Sequence, residues 1–122
     1  MHITNRNNGQ IIFESQTAET IGAAILEALG RGVSLQDADL KTAVLIDANL
    51  AGAKLDGVDL KYADLRRANL RGASLVGADI SAIDFSDADL TDADTRYTKH
   101  QGSNMTGATL ANTTLFDIYR AQ

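Results

Sequence analysis

The chain has 122 residues, 44% hydrophobic and 22% charged, which suits one compact domain and leaves little room for a second. Sixteen acidic against eleven basic residues give a net charge of -5, with no Lys/Arg cluster on the scale that a phosphate backbone requires, which disfavours direct nucleic-acid binding. Cys is absent, so a disulfide framework, a thiolate zinc site and a cysteine nucleophile are excluded; with no Pro, no Trp and 5% aromatic residues, something other than rings fills the interior.

The longest apolar stretch, Ile21 to Leu29, is far too short to span a bilayer, and the opening Met1-His2-Ile3-Thr4-Asn5-Arg6 lacks the apolar run of a signal peptide. The expectation is a soluble, cytoplasmic protein without a membrane partner. Thr4 to Arg6 and Gln10 to Glu14 flank Asn7-Asn8-Gly9 and read as a β-hairpin with a positive-φ turn. Thr17 is then placed to cap a helix with Glu19 in its first turn, Ile21, Ile25, Ala28 and Leu29 along one face, and Gly30 and Gly32 at its end.

From residue 33 a strict period of five takes over. Leu occupies positions 35, 40, 45, 50, 55, 60, 65, 70 and 75, followed by Ile80, Phe85 and Leu90, a lapse at Thr95 and His100, and a return at Met105, Leu110 and Leu115, which makes 15 apolar residues of 17. Two residues before each stands a small or branched apolar residue, chiefly Ala, broken only by Thr98, Ser103 and Thr113. Asp or Asn usually lies between, as in Ala38-Asp39-Leu40. A period of five would spiral around a helix and alternate across a strand, so neither buries one face. A chain that turns a corner every five residues does bury it, with two side chains of each unit pointing to a central axis and three pointing out. Six of the ten glycines fall two residues after the Leu position, where a corner needs positive φ.

These residues resemble the pentapeptide repeat proteins over Val33 to Asp117, as 17 consecutive units. The resemblance implies an all-β solenoid: a right-handed quadrilateral β-helix with four pentapeptides per coil, about four coils in all, forming a rod on the order of 20 Å long at the spacing of stacked strands. Residues 20 apart, such as Leu35, Leu55 and Leu75, would stack in ladders, and a square this small leaves no space for aromatic rings. Residues 1–32 then read as a hairpin-and-helix cap over the first coil, 33–117 as the β-helix, and 118–122 as the C-terminal end, since a bare solenoid end exposes apolar core and unpaired backbone.

At that C-terminal end Phe116, Ile118 and Tyr119 are candidates for a homodimer contact that continues the stack into a second molecule, the alternative being that they fold back over their own last coil. Dimers through this end occur in family members that mimic DNA. Thr95, Thr98, His100 and Ser103 place polar side chains at four inward positions, a candidate irregular coil that either satisfies itself internally or bulges outward.

Chemistry finds little to work with. His2 and His100 are the only histidines, no nucleophile elbow, HExxH or P-loop is present, and aspartates at five-residue steps point out of different faces. The expectation is no enzyme, no cofactor and no metal. Charge is the feature left to carry function. Lys61, Arg66, Arg67 and Arg71 form a basic band, and Asp79, Asp84, Asp87, Asp89, Asp92 and Asp94 a candidate acidic protein-binding surface roughly one coil later. Asp39, Asp59 and Asp79 would stack on one face with Lys41 and Lys61 offsetting their repulsion, which keeps a flat β surface soluble. The resulting reading is a non-enzymatic scaffold whose outer faces bind a protein partner. The alternative, which the resemblance implies, is a DNA mimic directed at DNA gyrase or another topoisomerase, carboxylates on a duplex-like rod entering a basic groove.

Overall fold

The computed structural model describes residues 1–119. Its regular elements are two short strands, β1 (His2–Thr4) and β2 (Ile11–Glu14), one ten-residue helix, α1 (Ile21–Gly30), and a single terminal helical turn, α2 (Phe116–Tyr119). Between α1 and α2 the chain returns on itself every 20 residues. Parallel one-residue bridges join Asp39 to Asp59, Asp59 to Asp79 and Asp79 to Lys99, and equally spaced rows begin at Val44, Asn49 and Lys54. Each side of a coil is therefore too short to count as a strand, and its sheet pairing is carried by stacking alone. The bonds follow one rule: Leu60 donates its N–H to the Asp79 carbonyl at 2.9 Å while Asp79 donates back to Val58 at 2.9 Å, and the same pair recurs in every row.

Leu35 through Leu90 in the Leu position are all at most 3% exposed, and the Ala column beside them is buried with them. The core is a continuous column along the coil axis. Phe85 corrects the expectation that no ring fits, being 0% exposed in the same column as Leu65 and Met105.

The N-terminal elements differ in detail from the sequence reading. β1 starts at His2 and stops at Thr4, short of the expected Arg6, because Asn5 and Arg6 are committed elsewhere: Asn5 bridges antiparallel to Ala38, and Arg6 N–H donates to the Asp37 carbonyl at 2.7 Å. The turn accordingly spans Asn5 to Gln10, closed by Asn5 N–H to the Gln10 carbonyl at 2.8 Å with Gly9 at φ 74°. Thr20, not Thr17, caps α1, accepting from Ala23 N–H at 3.1 Å. The amides of Thr17 and Ala18 are taken up by the Ser15 hydroxyl at 3.3 and 2.9 Å, which holds them in a turn and delays the helix; Glu19 thus lies outside its first turn. α1 buries Gly22, Ala24, Ile25 and Ala28 against the coils, with Ile21 and Leu29 half-buried.

Candidate functional site

With the interior apolar, chemistry is confined to the outward positions, and the coil sets their addresses. Rows 20 residues apart lie on one face, and the residue two after each Leu position forms a corner. Every corner from Asp37 to Asn112 has φ between 55° and 74°. Glycine accounts for six of them; the others include Thr42, Tyr62, Arg67, Ala82 and Tyr97, L-residues held in the left-handed region.

The six candidate acids ring the molecule rather than share a face. Asp79, Asp84, Asp89 and Asp94 belong to four different rows, and Asp87 and Asp92 sit at corners. Most have local partners. Asp79 is 6% exposed and lies 3.6 Å from the Lys61 ammonium; burial works to raise its pKa, but hydrogen bonds from Ser81 and the charges of Lys61 and Lys99 outweigh this and hold it below the usual carboxylate range. Asp89 is held low by hydrogen bonds from Thr91 and by Arg71 at 3.1 Å, and Asp94 by the forked Arg96 guanidinium at 2.8 and 2.7 Å. Asp84 accepts from Ser86 N–H at 2.9 Å, with Arg66 4.0 Å away, and Asp92 accepts from the Asn112 amide at 2.7 Å. The Asp87 carboxylate lies over Gly107, filling the space a side chain there would need.

One face carries an alternating ladder. Lys41 reaches Asp39 at 2.9 Å and Asp59 at 3.6 Å, and Lys61 reaches Asp59 at 3.3 Å and Asp79 at 3.6 Å. Opposite charges therefore alternate along the stack, as the sequence led us to expect. The two corner columns bounding this face hold exposed rings, Tyr97 at 83% and Tyr62 at 64% exposure. Sequence reasoning passed over both; the signal was a tyrosine in a column where glycine is common.

The candidate irregular coil stays in register, through bridges from Asp79 to Lys99 and from Asp84 to Asn104. Its polar groups are satisfied within the chain. The buried Thr95 hydroxyl pairs with that of Thr114 at 2.7 Å, and the Thr98 hydroxyl donates to the Thr95 carbonyl at 2.9 Å. The Ser103 hydroxyl spans a turn of the preceding coil, donating to the Ile80 carbonyl and accepting from Ile83 N–H at 3.3 Å. His100 Nδ1 lies 2.8 Å from the Tyr119 hydroxyl, which donates to the His100 carbonyl at 3.1 Å, so Nδ1 bears the proton in that arrangement.

The candidate dimer residues divide. Tyr119 folds back against the core and His100, its hydroxyl pKa raised by burial, whereas Phe116 and Ile118 are 46% and 57% exposed. Residues 120–122 of the C-terminal end lie outside the described residues. Among the described residues no group of three His, Asp or Glu is placed to hold a metal ion, and no helix is long and apolar enough to cross a membrane.

A family model described as pentapeptide repeats matches residues 31–61 and 57–87, in eight copies. No curated protein matches. Similar solved structures include a pentapeptide repeat protein, Rfr23, from the cyanobacterium Cyanothece 51142, 30% identical over 62% of this chain and 52% of that one, TM-score 0.48. Another is alr5209, a pentapeptide repeat protein from Nostoc Pcc 7120, 38% identical over 70% of this chain and 72% of that one, TM-score 0.46. A third is QnrB1, a plasmid-mediated fluoroquinolone resistance protein, 24% identical over 57% of this chain and 36% of that one, with a TM-score of 0.53 that speaks for a common fold. The chain spans about half the length of Rfr23 and about a third of that of QnrB1.

Proposed function

The chain belongs to the pentapeptide repeat family, and from that premise we propose that it is a non-enzymatic, cytoplasmic scaffold that holds side chains in a fixed array for a protein partner. In this reading residues 33–117 form a right-handed quadrilateral β-helix, residues 1–32 cap its first coil, and the C-terminal end, through the exposed Phe116 and Ile118, supplies a homodimer contact. The observation that carries the reading is the pair of exposed tyrosines at left-handed corners. Tyr62 and Tyr97 hold φ at 64° and 63°, where glycine would serve the turn without strain, and neither ring is buried to repay it. Exposed aromatic side chains are what protein interfaces enrich relative to the rest of the surface.

A photo-crosslinking residue at position 97 should trap one discrete protein in the source cells, and the same residue at Asp47, a corner on another side, should not. Equal labelling from both positions would contradict the reading.

The alternative function is DNA mimicry toward gyrase or another topoisomerase. Against it stand the spread of the six acids over four rows and two corners and the pairing of Asp79, Asp89 and Asp94 with Lys61, Arg71 and Arg96, which leaves no continuous run of unneutralised carboxylates for a basic groove. Titration into a gyrase supercoiling assay should show no effect at tens of micromolar. Inhibition, or protection from a quinolone, that an Asp84→Lys/Asp89→Lys variant loses would put mimicry first.

A further inference from the structure

Where α1 ends, the chain does not join the coil ladder at once. Val33 N–H bonds back to the Ala28 carbonyl at 2.9 Å and Gly32 N–H to Leu29 at 3.0 Å, and the first ladder bond after them is Asp37 N–H to the Asp56 carbonyl at 2.9 Å. A groove of about 730 Å³ opens between the helix end and the first coil, walled by Leu26, Leu29 and Val33 and floored by Asn49, Ala51 and Lys54.

The floor is an open β edge. One coil on, Asn69 N–H bonds to Ala48, the Asn69 carbonyl accepts from Leu50, the Arg71 carbonyl from Gly52, and Ser74 N–H bonds to Ala53, all at 2.7–2.9 Å. The equivalent groups of the floor, the N–H of Asn49 and Lys54 and the carbonyls of Asn49, Ala51 and Lys54, meet no such partner among the described residues. Elsewhere the N-terminal segment closes this edge: Asp39 N–H bonds to Thr4, and Gly22 sits against the Val44 carbonyl. The Lys54 ammonium likewise has no ion pair among the described residues, although Lys41, Lys61, Arg66, Arg67, Arg71 and Arg96 all do.

Resting on the scaffold reading, we infer that this groove takes a short segment of the partner protein, which adds one rung to the first coil. The unpaired edge turns a corner at Gly52, so the segment must turn there too, at a positive φ that glycine meets without strain. Its small and apolar residues lie against Leu26 and Leu29, and a carboxylate sits over Lys54. Backbone bonding supplies affinity, and the Lys54 charge and apolar wall supply selectivity.

The probe is the peptide Ala-Asn-Leu-Ala-Gly-Ala-Asp-Leu, with a control carrying Lys in place of its Asp, titrated into the full chain while backbone amide shifts are followed. The Asp peptide should give saturable shifts at Asn49, Ala51 and Lys54, half-saturating below about 1 mM. Lys54→Glu should weaken it by about tenfold and favour the control, and Leu26→Asp should weaken both peptides, with remote amides unmoved in each variant. No saturable shift by about 1 mM, or binding indifferent to Lys54→Glu, overturns the inference. Shifts gathered around Tyr62 and Tyr97 instead would also overturn it while leaving the scaffold reading standing. Groove binding together with failure of the position-97 crosslink would reject the tyrosine face alone.

Discussion

Thr42 sits at φ 63° although its β-branched side chain disfavours the left-handed region. Its amide donates to the Lys61 carbonyl at 3.0 Å, so the stack holds the corner in a conformation the residue alone would avoid. Thr42→Gly should therefore raise stability by about 0.5–1 kcal/mol, the relief of strain exceeding the added freedom of the unfolded chain; urea unfolding reads this, and a loss of stability would contradict it. Only part of this pattern is legible in the sequence. Glycine at a corner announces positive φ, and Asp or Asn tolerates it, but Ala82, Arg67 and Tyr62 give no local sign, because their conformation is imposed by bonds to residues 19 positions away.

The same division between local and long-range causes governs the elements. That a helix lies before the repeats follows from apolar spacing, yet its first residue depends on the Ser15 hydroxyl, whose capture of Thr17 and Ala18 leaves no mark in a helix pattern. How α1 packs is set by a contact no periodicity shows: a Cβ on Gly22 would lie 2.3 Å from the Val44 carbonyl oxygen, a backbone atom unable to swing away. Gly22→Ala should cost about 1–3 kcal/mol by lifting the helix from the first coil. Gly30→Ala, where a Cβ meets nothing within 4 Å, should instead gain up to about 1 kcal/mol from helix propensity. Thermal melts of the two variants should move in opposite directions, and a parallel shift would refute this account of the packing. The irregular coil shows the converse: its polar inward residues were visible in sequence, but their mutual bonding needed Thr114, Ile80 and Tyr119 from neighbouring coils and the terminal turn.

At the scale of the whole molecule, a five-residue period is so strong a constraint that the coil, its core and the charge ladder are read directly from residues such as Leu50 and Lys61, whereas the binding surface is not, because every outward row follows the same rule. Lys61 bridges Asp59 and Asp79, whose side chains are 5% and 9% exposed. Lys61→Met should cost about 1–2 kcal/mol by leaving Asp79 without an ion pair and Asp59 with Lys41 alone, discounted because the lysine itself is a third exposed. Asp39, Asp64, Asp79, Asp89 and Asp94 all have pKa values below normal in the fold. The unfolded chain then binds more protons in acid, so their contribution is fully present above the unfolded value near 4 and is lost as pH falls through the lower folded values. The melting temperature should hold from pH 7 to about 5 and drop below about 4; a rise on acidification would contradict the ladder's role.

The central claim is that Tyr62 and Tyr97 serve a partner and not the fold, and one variant, Tyr62→Gly/Tyr97→Gly, separates the two. Its melting temperature and its ability to compete with the wild-type chain for the protein trapped at position 97 should be measured together. The account predicts an unchanged or higher melting temperature with competition lost; a lower melting temperature with competition intact would contradict it.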